Sequence, residues 1–127
     1  MTAIHEAGVT RLLCVAIDLE AYDDMLALVA DYPEISVSVG VHPNEQDCRE
    51  PTIEELVELA QHPKNVAIGE TGLDYYRSEG DDLHWQRQRF RNHVQAARAA
   101  NKPLIVHTRE AREDTLTILR EERAEEV

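Results

Sequence analysis

Along the chain, short β-branched apolar runs alternate with stretches whose apolar residues return every three or four positions. The run Leu12 to Ile17 predicts a strand, and Tyr22, Met25, Leu26 and Val29 behind it fall at helical spacing. Ser36 to Val41 predicts a second strand. The helix after it opens with Thr52 and Glu55, which fit a capping box. It continues through Ile53, Leu56, Val57 and Ala60, and His62-Pro63 stops it. Val66 to Gly69 predicts a third strand, followed by a polar loop that ends near Asp82. A longer helix then carries Leu83, Phe90, Val94 and Ala97 on one face and ends near Asn101. Leu104 to Val106 predicts the fourth strand, and Leu116, Ile118 and Leu119 the last helix. Strands and helices in strict alternation build a parallel sheet.

The strand starts at 12, 36, 66 and 104 set a period at which eight units would need ~250 residues. This chain has 127, so half of a (β/α)8 barrel and an open four-stranded sheet both satisfy the pattern. The ends fit a partial unit. Residues before Leu12 read as the last turn of a helix with Gly8 at its C-cap. The closing EERAEEV places glutamates at a helix C-terminus, where the dipole favours cations. The sequence reads as one domain, cut at both ends.

Composition narrows the function classes. Apolar residues make up 43% of the chain, too many for a disordered protein. The longest apolar runs are far short of the roughly 20 residues a membrane span needs. No basic segment followed by an apolar one opens the sequence. Two cysteines, Cys14 and Cys48, cannot staple a fold, and a reducing cytoplasm is the simpler setting. The 25 acidic and 13 basic side chains give a net charge of −12. That charge argues against unaided binding to nucleic acid or an anionic membrane, though bound metal ions could supply the missing positive charge. Solubility alone would also account for it.

Function in parallel sheets gathers at the C-terminal ends of the strands. The residues that follow the four predicted strands are Asp18, His42, Glu70 and His107. Each alone reads as an ordinary rim or turn residue; together they predict a shared polar site. Glu70 is the sharpest of them. It closes an apolar strand between Gly69 and Thr71-Gly72, so its carboxylate needs a cation or donor partner. No lysine or arginine lies near it in sequence, and a metal ion is the natural candidate. His107 fits either a ligand or a hydrogen-bonded rim residue, and His42-Pro43 either a site residue or a turn. Asp74 could orient a ligand histidine or hold a turn. His5, His62, His84 and His93 read as surface or helix-end residues. Neither cysteine has a histidine placed as a base, which argues against thiol catalysis. Tyr75, Tyr76 and Trp85 could stack on bases or simply pack against a helix. No glycine-rich phosphate loop or nucleophile elbow is present.

The segments SVGVHP, VAIGETGLDYY and NKPLIVHTREAREDTLTIL, with HEAGVTRLLCVAIDLE before them, resemble in order and spacing the TatD family of metal-dependent deoxyribonucleases. The resemblance implies an α/β fold that is a partial (β/α)8 TIM barrel of the amidohydrolase type. About four βα units would correspond to strands 2–5, lacking the first strand and the C-terminal half. It also implies divalent metal ions, magnesium or manganese, at the C-terminal rim, where they would activate a water. Glu70 would be the metal-bridging catalytic carboxylate and His107 a metal ligand. His42, Asp74 and Arg109 would lie on the substrate side, with DNA as substrate of the complete enzyme.

The departures from that family are specific. The HxH pair of its first strand occurs nowhere in this sequence, and a later histidine and aspartate would fall beyond residue 127. The isolated chain is therefore expected to be inactive. It is also expected to self-associate through the edges Leu12–Ile17 and Leu104–Val106. Two other readings stay open. A metal-dependent amide or ester hydrolase of this superfold would carry a carboxylated lysine where Glu70 stands. A non-catalytic α/β binding domain would bind anions at a helix N-terminus.

Overall fold

The apolar runs become four strands, and every helix between them lands on the same face of the sheet. The computed structural model describes residue 3 and residues 6–46, 48–76 and 82–127. Its elements are β1 (Leu12–Val15), α1 (Leu19–Val29), β2 (Ile35–Val39), α2 (Ile53–Leu59) and β3 (Asn65–Asp74). They continue with α3 (His84–Ala100), β4 (Leu104–Arg109) and α4 (Arg112–Glu121), then a 3-10 turn over Ala124–Glu126. The strands are all parallel and lie in the order β1-β2-β3-β4.

Residues that pair across a parallel sheet share a face, so alternate positions sort the chain into two sides. Leu12 and Cys14 pair with Ile35 and Val37 and face the helices. There Val37, Val39 and Ile68 bury against Tyr22 of α1, Leu56 of α2 and Ala96 and Ala97 of α3. A second cluster joins Leu73 to Phe90 and Val94 of α3 and Ile118 of α4. Each large side chain buried here contributes roughly 1.5–3 kcal/mol. The other face carries no helix: Ser38 and Ala67 are buried there, but Leu13, Val15 and Ile17 remain 46%, 38% and 45% exposed. A doubly wound sheet would carry helices on both faces. Strands in sequence order with all helices outside is the winding of a barrel wall. That winding argues against the open four-stranded sheet of a non-catalytic α/β binding domain.

Several boundaries differ from the sequence reading. β3 does not stop at Gly69. GETGLD continues it, because Thr71 and Leu73 bury on the helix face while Thr71 to Asp74 pair with Val106 to Arg109. β4 runs on to Arg109 for the same reason. β1 ends at Val15, and β2 covers Ile35–Val39. The Thr52–Glu55 capping box is formed in both directions. The acidic C-terminus is reconciled by partners: Arg91 pairs with Glu121 and Glu122, and Arg98 with Glu126. Gly8 adopts the positive φ of a helix stop, at 89°. His5 and most of the turn before Gly8 lie outside the described residues. Among those residues, no helix is long and apolar enough to cross a membrane.

Candidate metal centre

Three of the four strand-end residues converge. One ligand atom each from His42, Glu70 and His107 lies within 4.8 Å of the others. His42 Nε2 is 3.6 Å from Glu70 Oε1, and His107 Nδ1 is 3.9 Å from Glu70 Oε2. The two imidazoles meet at a centroid distance of 4.5 Å. Asp18 does not join them. Its carboxylate accepts from Ala21 N–H at 2.7 Å and serves as the N-cap of α1.

Glu70 reaches the centre because β3 bulges inward just before it. The pairing with β4 breaks between Ile68 and Thr71. There the Glu70 N–H crosses to Ala16 O, and Gly69 O accepts from the Ser38 hydroxyl at 2.8 Å. Such a bulge re-aims a side chain at the sheet's rim. Gly69 makes it possible: its φ is +143°, and a Cβ there would lie 2.6 Å from Ile105 O.

His107 is aimed from behind. Its Nε2 lies 2.9 Å from Asp74 Oδ2. Asp74 is only 4% exposed and also accepts from Tyr76 N–H and Asn44 Nδ2. Burial opposes the charge on Asp74, but these donors outweigh it and hold the carboxyl below its ordinary value. An ionised carboxylate only accepts, so His107 carries its proton on Nε2 and turns the Nδ1 lone pair toward Glu70. A carboxylate behind the ring is the usual support of a metal-binding histidine. Asp74, expected on the substrate side, therefore lies behind His107 and fixes its tautomer.

His42 has the opposite chemistry. Its Nδ1 accepts the Asn44 backbone N–H at 3.1 Å, a bond that leaves the proton on Nε2. Burial, then the neighbouring His107, lowers its pKa against the pull of Glu70, which favours the neutral ring. The Nε2–H toward Glu70 is thus a donor, and no lone pair is free there for an ion. The donor set suited to a divalent cation is the Glu70 carboxylate with His107 Nδ1, and His42 stands beside them as a hydrogen-bond donor.

The TatD related DNase family matches residues 1–127. The chain belongs to that family. The uncharacterized metal-dependent hydrolase YcfH of Escherichia coli (strain K12) is 46% identical over 112 residues, covering 87% of this chain and 41% of its own. The 3'-5' ssDNA/RNA exonuclease TatD of Escherichia fergusonii is 33% identical over 120 residues, 94% of this chain and 46% of that protein. The crystal structure of the TatD homologue YJJV from Escherichia coli K12 superposes with a TM-score of 0.79 at 25% identity, covering 98% of this chain and 49% of that one. The chain spans less than half the length of these curated relatives. Its four strands form the corresponding half of the TatD barrel.

Behind the centre, α3 holds the loop that carries His42 through Arg89 and His93. The buried Arg89 guanidinium donates to His42 O at 2.8 Å and Glu45 O at 2.7 Å, and its Nε to both oxygens of Glu50. His93, expected at the surface, is fully buried. It accepts Val41 N–H on Nε2 and meets Arg89 O through Nδ1, so both ring nitrogens are satisfied inside. Desolvation takes its pKa down to about 4. Their periodicity on α3 marks an inward face, but only the fold shows that the partners are backbone groups of the β2 loop. Arg109 stands two residues beyond His107, exposed at the rim, its guanidinium 3.6 Å above the Tyr76 ring. Tyr75 is not part of a stacking surface: its hydroxyl is tied to Asp114 and Arg87 between α3 and α4.

Proposed function

We propose that residues 1–127 are the second to fifth βα units of a metal-dependent hydrolase that cleaves phosphodiester bonds of DNA. The observation that carries the reading is the pairing of Glu70 with an outward Nδ1 lone pair on His107, backed by Asp74. A divalent cation held there, magnesium or manganese, would lower the pKa of a coordinated water and offset phosphodiester charge. That charge compensation suits a chain of net −12, which cannot attract phosphates by itself. Glu70 would hold the ion and tether it to β3, and His107 would supply a nitrogen ligand through Nδ1. His42 would offer its Nε2–H to an anionic oxygen of the substrate, and Arg109, steadied on Tyr76, would face a further phosphate. The exonuclease name of one relative favours a nucleic-acid strand over an amide or ester. Glu70 also occupies the position where an amide hydrolase of this superfold would use a carboxylated lysine.

Two protein ligands are too few for an ion that wants near-octahedral coordination, so the isolated chain should turn over little or nothing. The test joins the chain to the missing units of a complete relative and follows nucleotide release from labelled single-stranded DNA and RNA. Cleavage that needs magnesium or manganese and stops with chelator, and that Glu70→Ala abolishes, supports the reading. Chelator-resistant cleavage, or full activity in the unjoined chain, overturns it.

A further inference from the structure

A buried amide on α3 holds two parts of the metal centre against each other. β2 last pairs with β3 at Val39 and Ile68, whereas β3 pairs with β4 as far as Asp74 and Arg109. The end of β3 therefore has a strand on one side only, where Tyr75 N–H donates to Arg109 O. On the other side Gln86, in the first turn of α3 and 2% exposed, takes the place of the missing neighbour. Its Oε1 accepts Asp74 N–H at 2.8 Å, and its Nε2 donates to Asp74 O at 3.2 Å. Nε2 also donates to Pro43 O at 3.3 Å, in the loop that carries His42. A glutamine amide has two protons and an acceptor, and all three are used here. Asn44 repeats the link at the surface. Its backbone N–H donates to His42 Nδ1, and its Nδ2 to Asp74 Oδ2, the oxygen that meets His107 Nε2.

From this placement we propose that Gln86 is a positioning residue of the centre: by holding Pro43 and Asp74 together, it sets His42 beside His107. The use of that spacing rests on the proposed hydrolase activity; the spacing itself does not. Arg89 and His93 fix the His42 loop to α3, and Gln86 fixes it to the end of β3. Asp74 carries His107 on its side chain and Gln86 on its backbone, so a shift of the strand end moves the Nδ1 lone pair away from Glu70. Pro43 follows His42 directly, so slack there moves the Nε2–H as well. Glu70 is anchored separately, through its own N–H to Ala16 O and through Gly69 O to Ser38, and stays where it is. The residue type is specific. Asparagine is one methylene too short, and an ionised glutamate has no proton for either carbonyl.

Proton NMR of the metal-free 127-residue chain tests it, together with Mn²⁺ titration. The rings of His42 and His107, with centroids 4.5 Å apart, should show a ring-to-ring nuclear Overhauser effect in the wild type. Gln86→Met fills the same space without the three bonds, and should lose that effect while circular dichroism shows a folded chain. Its Mn²⁺ affinity should drop about tenfold, the low end of what a lost outer support costs a metal site. Gln86→Glu should fall between the two. Val94→Ala, at a buried position further along α3, controls for stability: it should lower the melting temperature and leave both readouts intact. A folded Gln86→Met that keeps the ring contact and the wild-type affinity, or a Val94→Ala that loses them as fully, would overturn the proposal. A wild-type chain that binds no Mn²⁺ counts against the hydrolase reading and leaves the ring contact to decide on Gln86. If neither Gln86 variant folds, the wild type decides. Scalar coupling across the hydrogen bond from Asp74 N to the Gln86 side-chain carbonyl supports the proposal, and a Gln86 amide that exchanges as fast as an exposed one overturns it.

Discussion

Asp74 Oδ2 lies 2.9 Å from His107 Nε2, and this single contact decides which nitrogen of His107 faces Glu70. Removing it with Asp74→Ala frees the ring to take either tautomer. Divalent-ion affinity should fall between 10- and 100-fold, as it does when the support of a ligand histidine is lost. Nitrogen NMR provides a separate check. In the wild-type chain both His107 and His42 should report the Nε2–H tautomer, and only His107 should change in the variant. A His107 that stays Nε2–H without Asp74 would contradict the assignment.

His93 makes stability depend on pH. Its folded pKa is about 4 against an ordinary value of 6.5, so the unfolded chain binds a proton that the folded chain refuses. The stabilisation is complete above pH 6.5 and is lost as pH falls toward 4, to a total of roughly 3 kcal/mol. Urea unfolding at pH 7 and pH 4.5 should show this loss. His93→Gln should be less stable at pH 7 but should lack that part of the pH slope.

Arg89 should be among the costliest polar substitutions in the chain. Arg89→Met takes a charged donor from His42 O, which keeps the Glu45 N–H, and from Glu45 O, which keeps only the Cys48 thiol, while Glu50, half exposed, recovers water. The expected loss is about 2–4 kcal/mol by urea unfolding. Arg89→Lys should recover only part of it, because one ammonium cannot span the two carbonyls and the carboxylate together.

The rim was legible in the sequence because strand ends can be read from apolar runs, and His42, Glu70 and His107 each follow one. Asp18 follows one too, yet its carboxylate is nearer to the open N–H groups of α1 than to the centre, and capping claims it. The length of β3 was hidden because GETGLD carries glycines and polar residues, the composition of a loop. Its strand character comes from pairing with β4, a contact made by residues more than thirty positions away. Arg89 and His93 were hidden for a related reason. Their partners are backbone groups of the β2 loop, and backbone groups leave no mark in a sequence. Residue type alone groups His42 with His107 as ligands; only their hydrogen bonds separate a donor from a lone pair.

The central claim is that Glu70 and His107 hold the ion while His42 does not. Manganese titration of the 127-residue chain, read from the electron paramagnetic resonance signal of free Mn²⁺, tests it most directly. The account predicts one weak site that Glu70→Gln and His107→Ala each abolish with the fold intact, and that His42→Ala leaves within a few-fold of its original affinity. Binding that survives Glu70→Gln, or that His42→Ala removes as completely as His107→Ala, would contradict it.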